Sequence, residues 1–184
     1  MIAALACAMM SLPGCDKMKD AVSRDIKVNN VKFAFEAPVS SNAAETLLAV
    51  TTRAGTENSF SVTRTVDISE MGNSEIIEYA NKIKKVTVNT SLLVITTSPA
   101  GSYTVTGVKV TATGVGGELS VPSYTLGSAF TPPDEMNTYT AAFITQLLFA
   151  KTVTVTVSGK TDAPAGTVIN ISYESNLVFT VSLL

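Results

Sequence analysis

From residue 28 onward, apolar and polar residues alternate with a period of two, and the apolar positions are rich in Val and the polar ones in Thr. Such a pattern describes strands with one buried face and one wet face. Val31, Phe33, Phe35 and Ala37 share one parity, with Lys32 and Glu36 on the other. Leu48 and Val50 form a second short run; Phe60, Val62, Val66 and Ile68 form a third, interrupted by Arg64. Val86 and Val88 lead into Leu92-Leu93-Val94-Ile95, a run apolar on both faces that predicts a central strand. Tyr103 and Val105 are odd, whereas Val108, Val110 and Ala112 are even, so the parity slips across Thr106-Gly107. One inserted residue with a glycine there predicts a β-bulge.

Val115-Gly116-Gly117 reads as a turn, and Leu119, Val121, Tyr124 and Leu126 as short strands around Pro122. Val153, Val155 and Val157 alternate with Thr152, Thr154 and Thr156. The composition of residues 158–166 predicts a hairpin loop. Ile169, Ile171, Tyr173, Leu177, Phe179, Val181 and Leu183 keep one parity. They form either one long strand or two strands turning at Ser175-Asn176.

Two segments leave the strand pattern. Asn73 or Ser74 can cap a helix at about 73–83, with Ile76, Ile77, Ala80 and Ile83 at helical spacing. Glu75 and Glu78 near its start, and Lys82, Lys84 and Lys85 near its end, suit the helix dipole. Thr131-Pro132-Pro133-Asp134 is a helix-start signature. The apolar stripe Met136, Tyr139, Phe143, Leu147 and Ala150 extends it to a helix at about 133–149. Many short strands and few helices indicate a mainly β fold, an antiparallel β-sandwich of Ig-like or similar Greek-key kind.

Composition narrows the chemistry. The 184 residues carry a formal net charge of −2, with no basic excess to attract nucleic acid. There is no histidine, hence no imidazole base or metal ligand. Tryptophan is absent too, which weakens a carbohydrate-stacking reading. The two cysteines are Cys7 and Cys15.

Ile2 to Leu12 is an uncharged apolar run, too short for a bilayer span of about 20 residues. It ends in Leu12-Pro13-Gly14-Cys15, and charge begins at once with Asp16, Lys17, Lys19 and Asp20. This stretch resembles the lipobox of bacterial lipoprotein signal peptides. The resemblance implies that residues 1–14 are a signal peptide and that cleavage precedes Cys15, whose thiol is lipidated. It further implies a membrane partner reached through an acyl anchor, in the bacterial cell envelope, at the outer membrane. Residues 15–27 then read as the lipidated tether and 28–184 as a single β-sandwich domain. With Cys15 acylated and Cys7 removed, no thiol would remain for a disulfide, a nucleophile or a metal.

The candidate chemistry is sparse. Asp134-Glu135 suits a helix start, and Glu75 with Glu78 a solvated face rather than a carboxylate pair across a cleft. Asp162 is the best oxygen ligand for calcium, yet a lone Asp in a loop is ordinary turn chemistry. Gly114-Val115-Gly116-Gly117 lacks the lysine and helix of a phosphate loop. Asn89-Thr90-Ser91 and Asn170-Ile171-Ser172 match the glycosylation pattern by chance. Tyr103, Tyr124, Tyr139 and Tyr173 read as core or rim. No catalytic residue, cofactor site or metal site is expected.

These observations predict a lipid-anchored envelope domain with a binding, adhesion or assembly role, facing a protein or glycan partner at the cell surface. A subunit of a surface filament, or an accessory lipoprotein of an outer-membrane complex, is the alternative. There the C-terminal strand or the 131–150 helix would make the subunit contact. A hydrolase using carboxylates alone would need two acids converging in a pocket.

Overall fold

The computed structural model describes residues 23–41, 57–126, 129–130 and 134–183. The expected leader, the Cys15 lipidation site and the Leu48/Val50 run lie outside the described residues, as does the start signature at 131–133.

Among the described residues, nine strands form one antiparallel sheet. They are β1 (Ser23–Ser40), β2 (Asn58–Asp67), β3 (Ile83–Ser98), β4 (Thr104–Ala112), β5 (Leu119–Val121), β6 (Tyr124–Thr125), β7 (Ala129–Phe130), β8 (Thr152–Thr161) and β9 (Val168–Ser182). Their order is β5-β4-β8-β2-β1-β9-β3-β7, with β6 beside β4. The path turns back on itself at β1–β2, where only Val39↔Phe60 and Ser40↔Ser59 are paired. One half (β1, β9, β3, β7) therefore faces the other (β2, β8, β4, β5), and their apolar faces meet in a mainly β sandwich-like core.

Alternation sets which side chains go inside. Val31, Phe33, Phe35, Ala37 and Val39 of β1 are buried, as are Val153, Val155 and Val157 of β8. Threonines take the outer face. Thr63 and Thr156 share a hydrogen bond at 2.9 Å, and Thr65 and Thr154 one at 3.3 Å, across directly opposed positions. The expected bulge is present. Thr106 opposes Lys160 but Lys109 opposes Ser158, and Gly107 takes a left-handed φ of 57° in the extra position.

β9 is a single strand, paired with β1 on one side and β3 on the other. With both edges satisfied along its length, the C-terminal strand is part of this domain's own sheet and has no open edge to lend to another subunit. β3 pairs with β9 throughout but with β7 only at Leu93 and Val94. It is thus close to an edge, and β9 is the central strand of its half. The 158–166 segment is not a hairpin. β8 continues to Thr161 and pairs with β2 and β4, so residues 162–167 carry the chain from one half of the sandwich to the other. Turn composition is the same for both routes; tertiary pairing decides between them. At the N-terminal side, β1 begins at Ser23, so Arg24, Asp25 and Lys27 of the expected tether stand in a strand.

The two helices fall where periodicity puts them. After β2, a 3-10 turn (Ile68–Met71) starts with a capping box: Ser69 N donates to Asp67 Oδ1 at 2.8 Å, and Asp67 N to Glu70 Oε1 at 3.0 Å. Then Asn73 Oδ1 accepts from Glu75 N and Ile76 N, opening α1 (Ser74–Tyr79). Ile68, Met71 and Ile76 are buried under the end of the longer sheet half. The second helix, α2 (Asp134–Ala150), packs on β3 and reaches β5 and β8. Its buried stripe is Met136, Thr140, Phe143, Ile144, Leu147 and Leu148, rotated from the expected one; Ala150 is exposed.

Candidate apolar binding site

Where α2 closes the space between the two sheet halves, their inner faces leave a cavity of about 80 Å³. β1 contributes Phe33 and Phe35, β3 Leu93 and Ile95, β8 Val155 and Val157, and β4 Val110 and Ala112. α2 supplies Met136, Tyr139, Thr140 and Phe143. Phe143 meets Phe33 edge to face, with centroids 5.4 Å apart and planes at 84°, which fixes the helix on β1. Among the described residues, no acid, amide or base lines the space. A water needs about 10–15 Å³ and two to four polar partners. This volume has room for several waters but offers them few partners.

Polar groups are confined to one side. Thr140 Oγ1 and Tyr173 Oη are 2.8 Å apart, Tyr173 Oη donates to Ser91 Oγ at 2.8 Å, and Ser91 Oγ donates to Asn137 Oδ1 at 2.7 Å. This chain joins α2 to β3 and β9 and satisfies the hydroxyls of Thr140 and Ser91, both buried. Tyr139 differs. Its hydroxyl is buried, with the Ala112 backbone beside it but no hydrogen bond of normal geometry. Burial raises its pKa from the ordinary 10.0, and the nearby Ala112 backbone moderates the rise. Tyr139 thus lines the apolar cavity while its hydroxyl stays enclosed by protein.

The other expected residues do not converge. Glu75 pairs with Arg24, and Glu78 is exposed. Asp134 opens α2, and Glu135 on its first turn is exposed. Asp162 Oδ1 accepts from Thr104 N at 2.8 Å, which makes it a loop brace. Among the described residues, no group of three acids or thiols is placed to hold a metal. Gly114 and Gly117 take positive φ in the turn after β4, and Asn89 sits at an irregularity in β3. Tyr103 is half-buried beside Gly101.

Sequence reasoning missed the Thr140–Tyr173–Ser91–Asn137 chain. The signal was available: Ser91, Tyr173 and Ser175 occupy inward parity positions among aliphatic residues. Arg64 was the other signal. It too has inward parity, and it stands where β1 and β2 diverge. Its guanidinium donates to Ala34 O at 2.7 Å, pairs with Glu70, and lies 5.7 Å from the Phe35 ring centroid. One side chain thereby replaces part of the missing β1–β2 ladder.

Fold and site together define an antiparallel β-sandwich-like domain with a partly open apolar cavity between its halves. No family model and no curated protein matches the chain. Among solved structures, it is similar to TmCBM61 in complex with β-1,4-galactotriose, at 12% identity and a TM-score of 0.27, covering 95% of this chain and 99% of that one. It is also similar to a structure of Desmodium yellow mottle tymovirus, at 10% identity and a TM-score of 0.27, covering 100% of this chain and 97% of that one.

Proposed function

We propose that this chain is a non-catalytic binding domain of a bacterial cell envelope, tethered by acylation of Cys15, that takes a small apolar ligand into its cavity. The observation that carries the binding reading is an apolar cavity of about 80 Å³ with no charged residue among its described lining. A small, slender molecule with an alkyl body matches that lining, because the body replaces apolar void. The anchoring rests on the Leu12-Pro13-Gly14-Cys15 stretch. Two acyl chains, at about 0.8 kcal/mol per buried methylene, hold a protein at a membrane for its lifetime.

The test of the binding reading is methyl NMR of the protein titrated with hexanol and with octanoic acid. Saturable shifts confined to Val110, Leu93, Val155 and their neighbours support it. They should be abolished when Leu119, at the cavity edge, is changed to Trp. Shifts scattered over the surface, or none at millimolar ligand, refute it. Assembly through α2 is the competing role, and a concentration-independent monomer in sedimentation counts against it.

A further inference from the structure

Three large apolar side chains are exposed among the described residues: Phe149 at 85%, Leu183 at 47% and Ile77 at 39%. The topology brings all three to one end of the sandwich. Leu183 follows Ser182, which pairs with Ser23 at the start of β1. Ile77 lies in α1, whose Glu75 pairs with Arg24 and whose Tyr79 ring lies 5.4 Å from the Arg24 guanidinium. Phe149 is in the last turn of α2. The next residues hold that turn against the same end, because Ile68 N donates to Lys151 O at 2.9 Å.

This is also the end where the chain arrives from Cys15. Seven residues separate Cys15 from Ser23. Even fully extended at about 3.5 Å per residue, they keep Ser23 within roughly 28 Å of the acylated thiol. Lys82, Lys84, Lys85 and Lys151 belong to the same end, and none forms an ion pair with a described residue. The acids nearby are largely engaged. Glu75 pairs with Arg24, Glu70 pairs with Arg64, Asp67 caps the 3-10 turn, and Asp25 accepts from Thr180. Glu78 alone stands exposed on α1 with no ion pair to a described residue.

We propose that this end is a bilayer-docking face: Phe149, Ile77 and Leu183 enter the headgroup boundary while the four lysines meet anionic lipid. The proposal rests on the anchored reading for its geometry, since the tether joins the domain at this end. No described helix is long and apolar enough to cross a bilayer, so the contact is interfacial. The domain would then stand upright, with the connections at 99–103 and 162–167 farthest from the lipid. A lysine close to an anionic surface contributes about fivefold to partitioning, and burial of a phenylalanine about tenfold or more.

The chain has no tryptophan, so a single introduced indole reports its own surroundings. Phe149→Trp is the reporter, and Ala100→Trp, exposed at the opposite end, is the control. Each acylated protein is reconstituted in phosphatidylcholine vesicles with and without phosphatidylglycerol, carrying bromine-labelled lipid. We expect the Phe149→Trp emission to shift to the blue and to be quenched, more strongly with phosphatidylglycerol, while the Ala100→Trp emission is unchanged. Lys84→Gln with Lys85→Gln should cut vesicle binding of an unacylated Cys15→Ala chain about twentyfold. Equal quenching at both positions overturns the proposal. So does a blue shift that follows protein concentration without vesicles, which would mean that a second copy covers the face. Loss of the anchor reads out separately: if native Cys15 proves unmodified, the Cys15→Ala chain alone decides docking, by binding or failing to bind anionic vesicles.

Discussion

The side-chain oxygen of Asn176 accepts a hydrogen bond from the backbone amide of Asn30 at 2.9 Å. At this level both neighbours of β9 are irregular. Val28 opposes Leu177 and Val31 opposes Ser175 on one side; Val88 opposes Leu177 and Thr90 opposes Asn176 on the other. Each neighbour thus carries one residue more than β9. Asn30 absorbs the excess in β1 with a φ of 58°, which asparagine tolerates better than other side chains. The amide nitrogen of Asn176 donates to Thr90 Oγ1 at 2.8 Å. One side chain in the central strand clamps both irregularities and lets the long sheet half twist.

Asn176→Ala should therefore destabilise the domain by about 1–3 kcal/mol, because two hydrogen bonds are lost and two bulges are left unbraced. Asn176→Asp keeps the acceptor toward Asn30 and should lose less. Urea midpoints for the two variants check the ranking; equal midpoints for Asn176→Ala and the parent would refute the clamp.

Arg64→Lys should fail to rescue what Arg64→Met loses. The planar fork serves Ala34 O and Glu70 together, and a single ammonium cannot. Both variants should cost about 1–2 kcal/mol. A double-mutant cycle with Glu70→Gln should show coupling well below the cost of Arg64→Met, since the pair is partly exposed and the carbonyl contact carries the rest.

Tyr139→Phe removes a buried hydroxyl that has no hydrogen bond of normal geometry, so stability at neutral pH should be unchanged or rise by up to about 1 kcal/mol. The pH dependence carries the sign. Burial raises the Tyr139 pKa above 10.0, so the folded state keeps its proton longer than the unfolded chain. That contribution is complete below pH 10.0 and is lost as pH climbs through the raised value. Alkaline unfolding curves should be shallower for the variant.

Gly159→Ala tests the packing of the β2–β8 pair. A Cβ at Gly159 would stand 2.6 Å from Phe60 Cζ and 3.3 Å from Thr106 O. The Phe60 ring is fully buried and has little room to move. A loss of about 1–3 kcal/mol in thermal or chemical unfolding is expected. Phe60→Leu in the same background should restore part of it.

Much of this architecture is legible in single residues of the sequence. The parity of Ile169 through Val181 marks a strand with one buried face, Gly107 marks a bulge in β4, and Asn73 marks the start of α1. These features are local, governed by side-chain period, backbone freedom and capping. What the sequence hides is non-local. Nothing near residues 162–167 tells which half of the sandwich the chain enters next. The parity slip from Val28 to Val31 is visible, but its cause lies at Asn176, far along the chain. The cavity is harder still. Val110, Leu93 and Phe143 look like ordinary core, and only packing shows that they fail to fill the space between them. Of the polar edge, Ser91 and Tyr173 advertise themselves as polar residues in apolar register.

Attachment at Cys15 is open to a direct check, intact mass analysis of the N-terminal peptide of the native protein. The predicted result is a peptide that begins at Cys15 and carries a diacylglyceryl group on its sulfur. An unmodified peptide running from Leu12 through Cys15 would contradict it.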